Sequence, residues 1–295
     1  MNIIKYKNWY FALSLLVIIP GIISLFLWGL NLSIDFTGGS RLTYSVNNVS
    51  DNKKIISVFE KDKIKIESTS QSSNNITLRT ATLSQSQHTQ LVGDLEKNVK
   101  GIKEQEFSTI GPTIGRETTL NALWGIGLAS LLIVLYIAIS FRGVPKPTNS
   151  WQFGICAIIA LLHDALVLLG VFSLLGHFFG VEVDSLFVTA VLTVIGFSVH
   201  DTIVVFDRIR ENLKVHAGSP FGEVVNASIL QTMGRSLNTS LTVILVLFAL
   251  LLFGGESTKW FVAALLVGII SGTYSSIFNA SQLIVLWQEV RNKTK

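Results

Sequence analysis

Two acidic residues stand where a chain free to choose would not put them. Asp201 falls inside the apolar run from Ser185 to Phe206, about 22 residues or roughly 33 Å as a helix, which matches a hydrocarbon core of about 30 Å. Asp164 lies near the middle of a second such run, in the context Leu161-Leu162-His163-Asp164-Ala165-Leu166. A carboxylate at the bilayer centre costs at least about 2.5 to 3.5 kcal/mol, so each reads by default as functional. For Asp201 the choice is between a titrating or substrate-contacting acid and a packing acid paired permanently with a base on another span. At 100° per residue Thr189, Thr193, Gly196, His200 and Asp207 share one stripe, with Asp201 and Ser198 on its flank. A face of that kind looks to protein or water, not to lipid. Asp164, beside His163 and deeper in its run, is either a structural hydrogen-bonding partner or a participant in a proton relay.

The basic counterpart is Arg235. Gln231, Thr232, Arg235, Asn238, Thr239 and Thr242 recur at i, i+3, i+4, i+7 spacing, so one face of this helix is polar well into the membrane. Arg235 is either an interfacial residue that snorkels to water or the partner of an intramembrane acid. The single cysteine, Cys156, sits in an apolar run and excludes a disulfide framework or a cysteine-based metal site.

These residues must be carried by spans. Hydrophobic residues make up 49% of the chain and charged ones only 14%, which defines an integral membrane protein. Six spans are expected: about Trp9 to Leu30, Leu120 to Phe141, Phe153 to Leu175, Ser185 to Phe206, Ser236 to Phe253 and Trp260 to Trp287. The first is too long for a signal-peptide apolar region and lacks its cleavage pattern, so it reads as a retained anchor. The last contains Gly268-Ile269-Ile270-Ser271-Gly272, a small-residue pattern for close helix packing. The net charge of +4 does not point to nucleic acid, because the basic residues flank the spans. Lys5, Lys7, Arg142, Lys146, Arg208, Arg210, Lys214, Arg291, Lys293 and Lys295 fall on one side, against Lys259 alone in the short loops of the other. Both termini are therefore expected in the cytoplasm and the segment after the first span outside it.

That segment is polar. Its alternation predicts strands at Arg41 to Val46, Ile64 to Glu67, Ile76 to Arg79 and Glu104 to Ile110, with helices at Asp51 to Glu60 and Gln85 to Val99. The order βαββαβ is a ferredoxin-like sheet with both helices on one face. The expected fold is thus an α-helical polytopic membrane protein with one extracytoplasmic α+β domain between the first two spans. Residues 1–30 form the N-terminus and first span, 31–117 the soluble domain, and 118–295 the remaining spans. No catalytic group stands out in the soluble domain, and His88 is expected to be solvated. At its entrance, Gly38 and Gly39 provide a bend or hinge.

The contiguous run Gly196-Phe197-Ser198-Val199-His200-Asp201-Thr202-Ile203-Val204-Val205-Phe206-Asp207-Arg208-Ile209-Arg210-Glu211-Asn212 resembles the signature of the SecF family, in the resistance-nodulation-division superfamily. Asp35-Phe36-Thr37-Gly38-Gly39, Gly111-Pro112-Thr113-Ile114-Gly115-Arg116-Glu117, the His163-Asp164 pair, the region around Arg235 and Gly272-Thr273-Tyr274-Ser275-Ser276-Ile277-Phe278 are similar to the family's pattern, in family order. Two positions depart from the commonest form: His200, where Asn is frequent, and Ser236, where Thr is usual.

The resemblance implies a subunit that, with SecD, uses the proton motive force to promote late export of preproteins across the bacterial inner membrane. Further partners it implies are the SecYEG translocon and a YidC-type insertase. It places proton coupling at Asp201 with Arg235, and a guanidinium that approached and left the carboxylate would make a protonation switch. Asp164, His163, His200, Asn238 and Thr239 would be relay or polar support. Protons would be the coupling ion, with membrane lipids as surroundings and no cofactor, metal or enzymatic activity. An alternative is a proton-driven small-molecule or lipid exporter of the same superfamily, although such chains usually carry twelve spans and two outer domains. An intramembrane hydrolase is disfavoured, since HExxH and GxSG are absent.

Overall fold

The computed structural model describes residues 2–46, 51–72, 75–99, 101–216 and 218–293; Lys295, counted above with the basic C-terminus, lies outside them. The chain divides into two compact units, one of Met1–Asn31, Trp124–Val181 and Leu186–Lys295, the other of Leu32–Leu123 and Glu182–Ser185.

The larger unit is built from long helices: α1 Lys7–Leu27, α5 Pro112–Ser140 from Trp124 onward, α6 Ser150–Phe179, α7 Ser185–Val215, α8 Phe221–Phe253, α9 Lys259–Tyr274 and α10 Ser281–Lys293. Among the described residues six helices are long and apolar enough to cross a membrane, the last running from Glu256 to Asn292 and including a π turn at Ser275–Ala280. Several helices run past the expected apolar spans. α8, for example, starts at Phe221 rather than near Ser236, because Ser228 and Thr232 in its first turns are buried and return their hydroxyls to its own carbonyls. Asn149 and Gln152 form a reciprocal cap that starts α6. α1 and α6 meet at Gly21 and Gly170, where a Cβ on Gly21 would lie 2.9 Å from the Gly170 Cα. Beside them the Ser24 and Ser173 hydroxyls are 2.6 Å apart. Backbones this close require small residues, as expected where helices associate without a hydrophobic driving force.

The smaller unit holds a short helix α2 Ile34–Thr37, strands β1 Gly39–Ser45, β2 Ile66–Ser72, β3 Asn75–Thr80 and β4 Lys103–Ile110, and helices α3 Asp51–Lys61 and α4 Gln85–Asn98. All pairings are antiparallel in the order β2-β3-β1-β4, the ferredoxin-like arrangement expected. Period-2 alternation sends Leu42, Tyr44, Ile76 and Leu78 into a core closed by Ile55, Phe59, Leu91 and Leu95 of the two helices. Each such fully buried side chain stabilises by roughly 1.5 to 3 kcal/mol. The opposite sheet face carries Arg41, Thr43, Thr77, Arg79, Glu106 and Ser108, with the Thr43 and Thr77 hydroxyls 3.1 Å apart. His88 is not solvated as expected. Its ring stacks on Phe107 with centroids 3.7 Å apart and its Nε2 lies 2.8 Å from Glu104. A bulge between Thr43 and Tyr44 sets Glu104 opposite Tyr44 and so turns it toward the helices.

Candidate functional site

Both intramembrane acids are buried, Asp164 at 1% and Asp201 at 2% exposure, but their surroundings differ. Asp164 projects from α6 into a cage of donors. The Ser198 hydroxyl of α7 donates to one carboxylate oxygen at 2.5 Å and Ser275 to the same oxygen at 2.6 Å. Ser271 of α9 donates to the other at 2.8 Å, and His163 Nδ1 lies 2.9 Å from it. Three helices and the π turn therefore converge on one carboxylate. The π geometry gives successive serines different partners: Ser275 reaches Asp164, while Ser276 donates to the Ser198 carbonyl at 3.1 Å and pairs with Thr202 at 2.8 Å. Single π turns inside α-helices occur frequently at functional sites.

Among the described residues Asp201 has no comparable cage. Ser240 of α8 approaches one oxygen at 3.5 Å, and His200 Nδ1 is 3.6 Å from the other, beyond normal hydrogen-bond length. Behind Ser240 the Thr273 hydroxyl of α9 donates to it at 2.7 Å, so α7, α8 and α9 meet at this point. The carboxylate keeps acceptor capacity that its own chain does not fill with short bonds.

Arg235, Asn238 and Thr239 lie on the exposed side of α8. Among the described residues Arg235 forms no ion pair, and the structure does not bring its guanidinium to Asp201. The stripe read on α7 is also outward: Thr189, Thr193, Gly196, His200 and Asp207 are exposed, the His200 side chain at 70%. Two neighbouring helices thus present polar faces at membrane depth, where lipid could not satisfy them. Gly38 and Gly39 adopt φ of +74° and +117°, and a Cβ on Gly39 would meet the Thr80 carbonyl oxygen at 2.7 Å. Glycine is required at both for conformation and for space. The donors Ser271 and Ser275 were not expected: in a run rich in Gly and Ser they read as packing residues, and only their recurrence at i, i+4 opposite a buried acid could have marked them.

Fold and site together define a polytopic membrane protein with an α+β domain between its first two spans and buried carboxylates in its third and fourth spans. The sequence profile described as protein export membrane protein SecD/SecF, C-terminal, matches residues 91–290, and that of the SecD/SecF GG motif matches residues 23–48. The chain is 46% identical to the protein translocase subunit SecF of Thermobaculum terrenum over 98% of this chain and 94% of that one. It is 35% identical to the protein translocase subunit SecDF of Bacillus subtilis, over 96% of this chain and 37% of that one. The crystal structure of SecDF, a translocon-associated membrane protein from Thermus thermophilus, superposes with a TM-score of 0.86 at 33% identity, covering 98% of this chain and 39% of that chain. The chain belongs to the SecF family of protein translocase subunits.

Proposed function

We propose that this chain, with a SecD partner, uses the proton motive force to promote late export of preproteins across the bacterial cytoplasmic membrane, alongside the SecYEG translocon and a YidC-type insertase. The observation that carries the reading is the contrast between the two acids. Asp164 is bound by short hydrogen bonds from three serines, so a proton added there would break a network that joins four elements. Asp201 is equally buried but among the described residues makes only long contacts, so its proton can come and go while the bundle stays packed. Asp201 is therefore the proton-coupling acid and Asp164 its fixed support.

The exposed polar faces of α7 and α8 fit a partner bundle, and the single-chain relatives supply a reason: this chain matches 37% to 39% of their length. Arg235, Asn238, Thr239 and His200 would then act at that interface, with Arg235 reading the charge state of Asp201 when the bundle is complete. Basic loops put both termini in the cytoplasm and the sheet domain outside. One charge crossing 100 mV supplies about 2.3 kcal/mol, enough to bias a domain between two orientations, and Gly38 and Gly39 are the positions about which it would turn.

The test is translocation of a radiolabelled preprotein into inverted membrane vesicles holding the chain and its cognate SecD, with and without a proton gradient. Wild type should show gradient-dependent stimulation, and Asp201→Asn should insert and assemble but lose it. Equal stimulation by both forms would overturn the assignment of Asp201.

A further inference from the structure

The segment Glu182–Ser185, which leads into α7, is folded into the unit that contains the sheet. Contacts to it come from both sides of Gly38-Gly39 in the chain. Before the glycines, Leu32 forms a parallel bridge with Val183, and the Ser33 amide donates to the Val183 carbonyl at 2.8 Å. Asp35 accepts from the Ser185 amide at 2.9 Å and from its hydroxyl at 2.7 Å, which caps the first turn of α7. After the glycines, the sheet holds Glu182 through side chains: Arg79 of β3 donates to it at 3.3 Å and Arg41 of β1 lies at 3.9 Å. Arg79 is 9% exposed and its fork also donates to the Leu32 carbonyl and the Thr37 hydroxyl, both at 2.9 Å.

Resting on the proton-coupled reading above, we infer that Arg79 and Glu182 are positioning residues that link the sheet to the N-terminal end of α7, the helix that carries Asp201. A turn of the sheet about Gly38-Gly39 moves Arg79 and Arg41 directly, whereas Leu32, Ser33 and Asp35 are joined to it through the bonds from Arg79 to Leu32 and Thr37. Glu182 is a point in this segment that the sheet holds directly, and a pull on it enters α7 within three residues along the chain. By reciprocity, a shift of α7 on protonation of Asp201 is felt by the sheet through the same pair. A buried guanidinium in a three-way fork suits this role better than an ammonium, because its donors are fixed relative to one another.

The experiment uses the same vesicles, with the full chain and its cognate SecD. Glu182→Gln and Arg79→Gln should each lower gradient-dependent stimulation at least about fivefold, the low end of a coupling between sites. Gradient-independent translocation should be unchanged, and the loss of stimulation should exceed what any fall in the thermal midpoint of the purified complex explains. Glu182→Asp, which restores the charge, should recover most of the stimulation, a rescue that a mere packing role would not give. Full stimulation in Glu182→Gln while Asp201→Asn is inactive would overturn the linkage and leave the proton-coupled reading standing. Full stimulation in Asp201→Asn would overturn that reading itself. A loss in Glu182→Gln that follows a lowered midpoint and is not recovered by Glu182→Asp would also overturn the linkage, reducing the pair to a fold contact.

Discussion

Gly268→Ala places a methyl group where α9 meets α7. The new Cβ would lie 2.9 Å from the Val194 Cβ and 2.6 Å from its Cγ1, with Cγ2 closer still. Ordinary carbon contacts are about 3.5 to 4.0 Å, so the overlap approaches an ångström on several atoms. Rotating Val194 does not relieve it: a β-branched side chain in a helix has essentially one rotamer, and its Cβ cannot turn away. The helices must part, and parting stretches the bonds that Ser271 and Ser198 make to Asp164 from the same two helices. Overpacking costs about 1 to 3 kcal/mol, and weakening hydrogen bonds to a charged acceptor adds of order 1 to 2 more. At about 2 to 4 °C per kcal/mol the thermal midpoint of the purified, detergent-solubilised protein should fall by roughly 5 to 15 °C. Val194→Ala removes both Cγ atoms, so the double variant should be more stable than the sum of the single losses by at least about 1 kcal/mol. A midpoint unchanged by Gly268→Ala, or strict additivity in the cycle, would refute this account of the contact.

Asp164→Ala strips three hydroxyls of one acceptor and should destabilise by about 2 to 4 kcal/mol, while Asp201→Ala, with no short bond to lose, should cost clearly less; equal midpoints for the two variants would contradict the division of roles. Gly39→Ala combines a φ of +117° with a 2.7 Å approach to the Thr80 carbonyl oxygen and should cost about 1 to 3 kcal/mol, read as earlier proteolysis of the sheet unit on warming. Burial raises the Glu182 carboxyl above the ordinary carboxylate range, against the pull of Arg79 and Arg41, and Asp184 on the same segment adds to the rise. Across the sheet Arg41 also pairs with Glu106 of β4. A group whose folded pKa is raised binds more protons when folded, so its contribution to stability declines as pH rises through the interval above the ordinary value. The ion pair itself runs the other way, complete only above the raised pKa and lost as pH falls through it. A pH series of thermal midpoints should show that decline in wild type and lose it in Glu182→Gln; identical slopes would remove Glu182 as the cause.

The spans were legible because insertion into lipid demands long apolar runs, and the sheet because one buried face imposes strict alternation on strands such as Arg41 to Val46. Helix ends were less so: the buried, self-bonded hydroxyls of Ser228 and Thr232 let α8 extend through residues that look like a polar loop. Of the site, Asp201 and Asp164 announced themselves by cost, and polarity marked the stripes on α7 and α8. What could not be read was which acid had partners. That depends on Ser198, Ser271 and Ser275, which lie 34, 107 and 111 residues from Asp164. The link from Arg79 to Glu182 spans 103 residues and that from Asp35 to Ser185 spans 150; no local pattern encodes either.

The π turn at Ser275–Ala280 holds one residue more than an α turn needs, and this surplus behaves like a ruck in a carpet. Moving the wide turn one step along the helix keeps the number of backbone hydrogen bonds nearly constant, yet it re-aims only the side chains between its old and new positions. Ser275 and Ser276 sit there, one facing Asp164 and the other Thr202. The last span therefore contains a place where two helix partners can be exchanged while both of its ends stay where they are. Its neighbours need not slide or tilt for the contact to change.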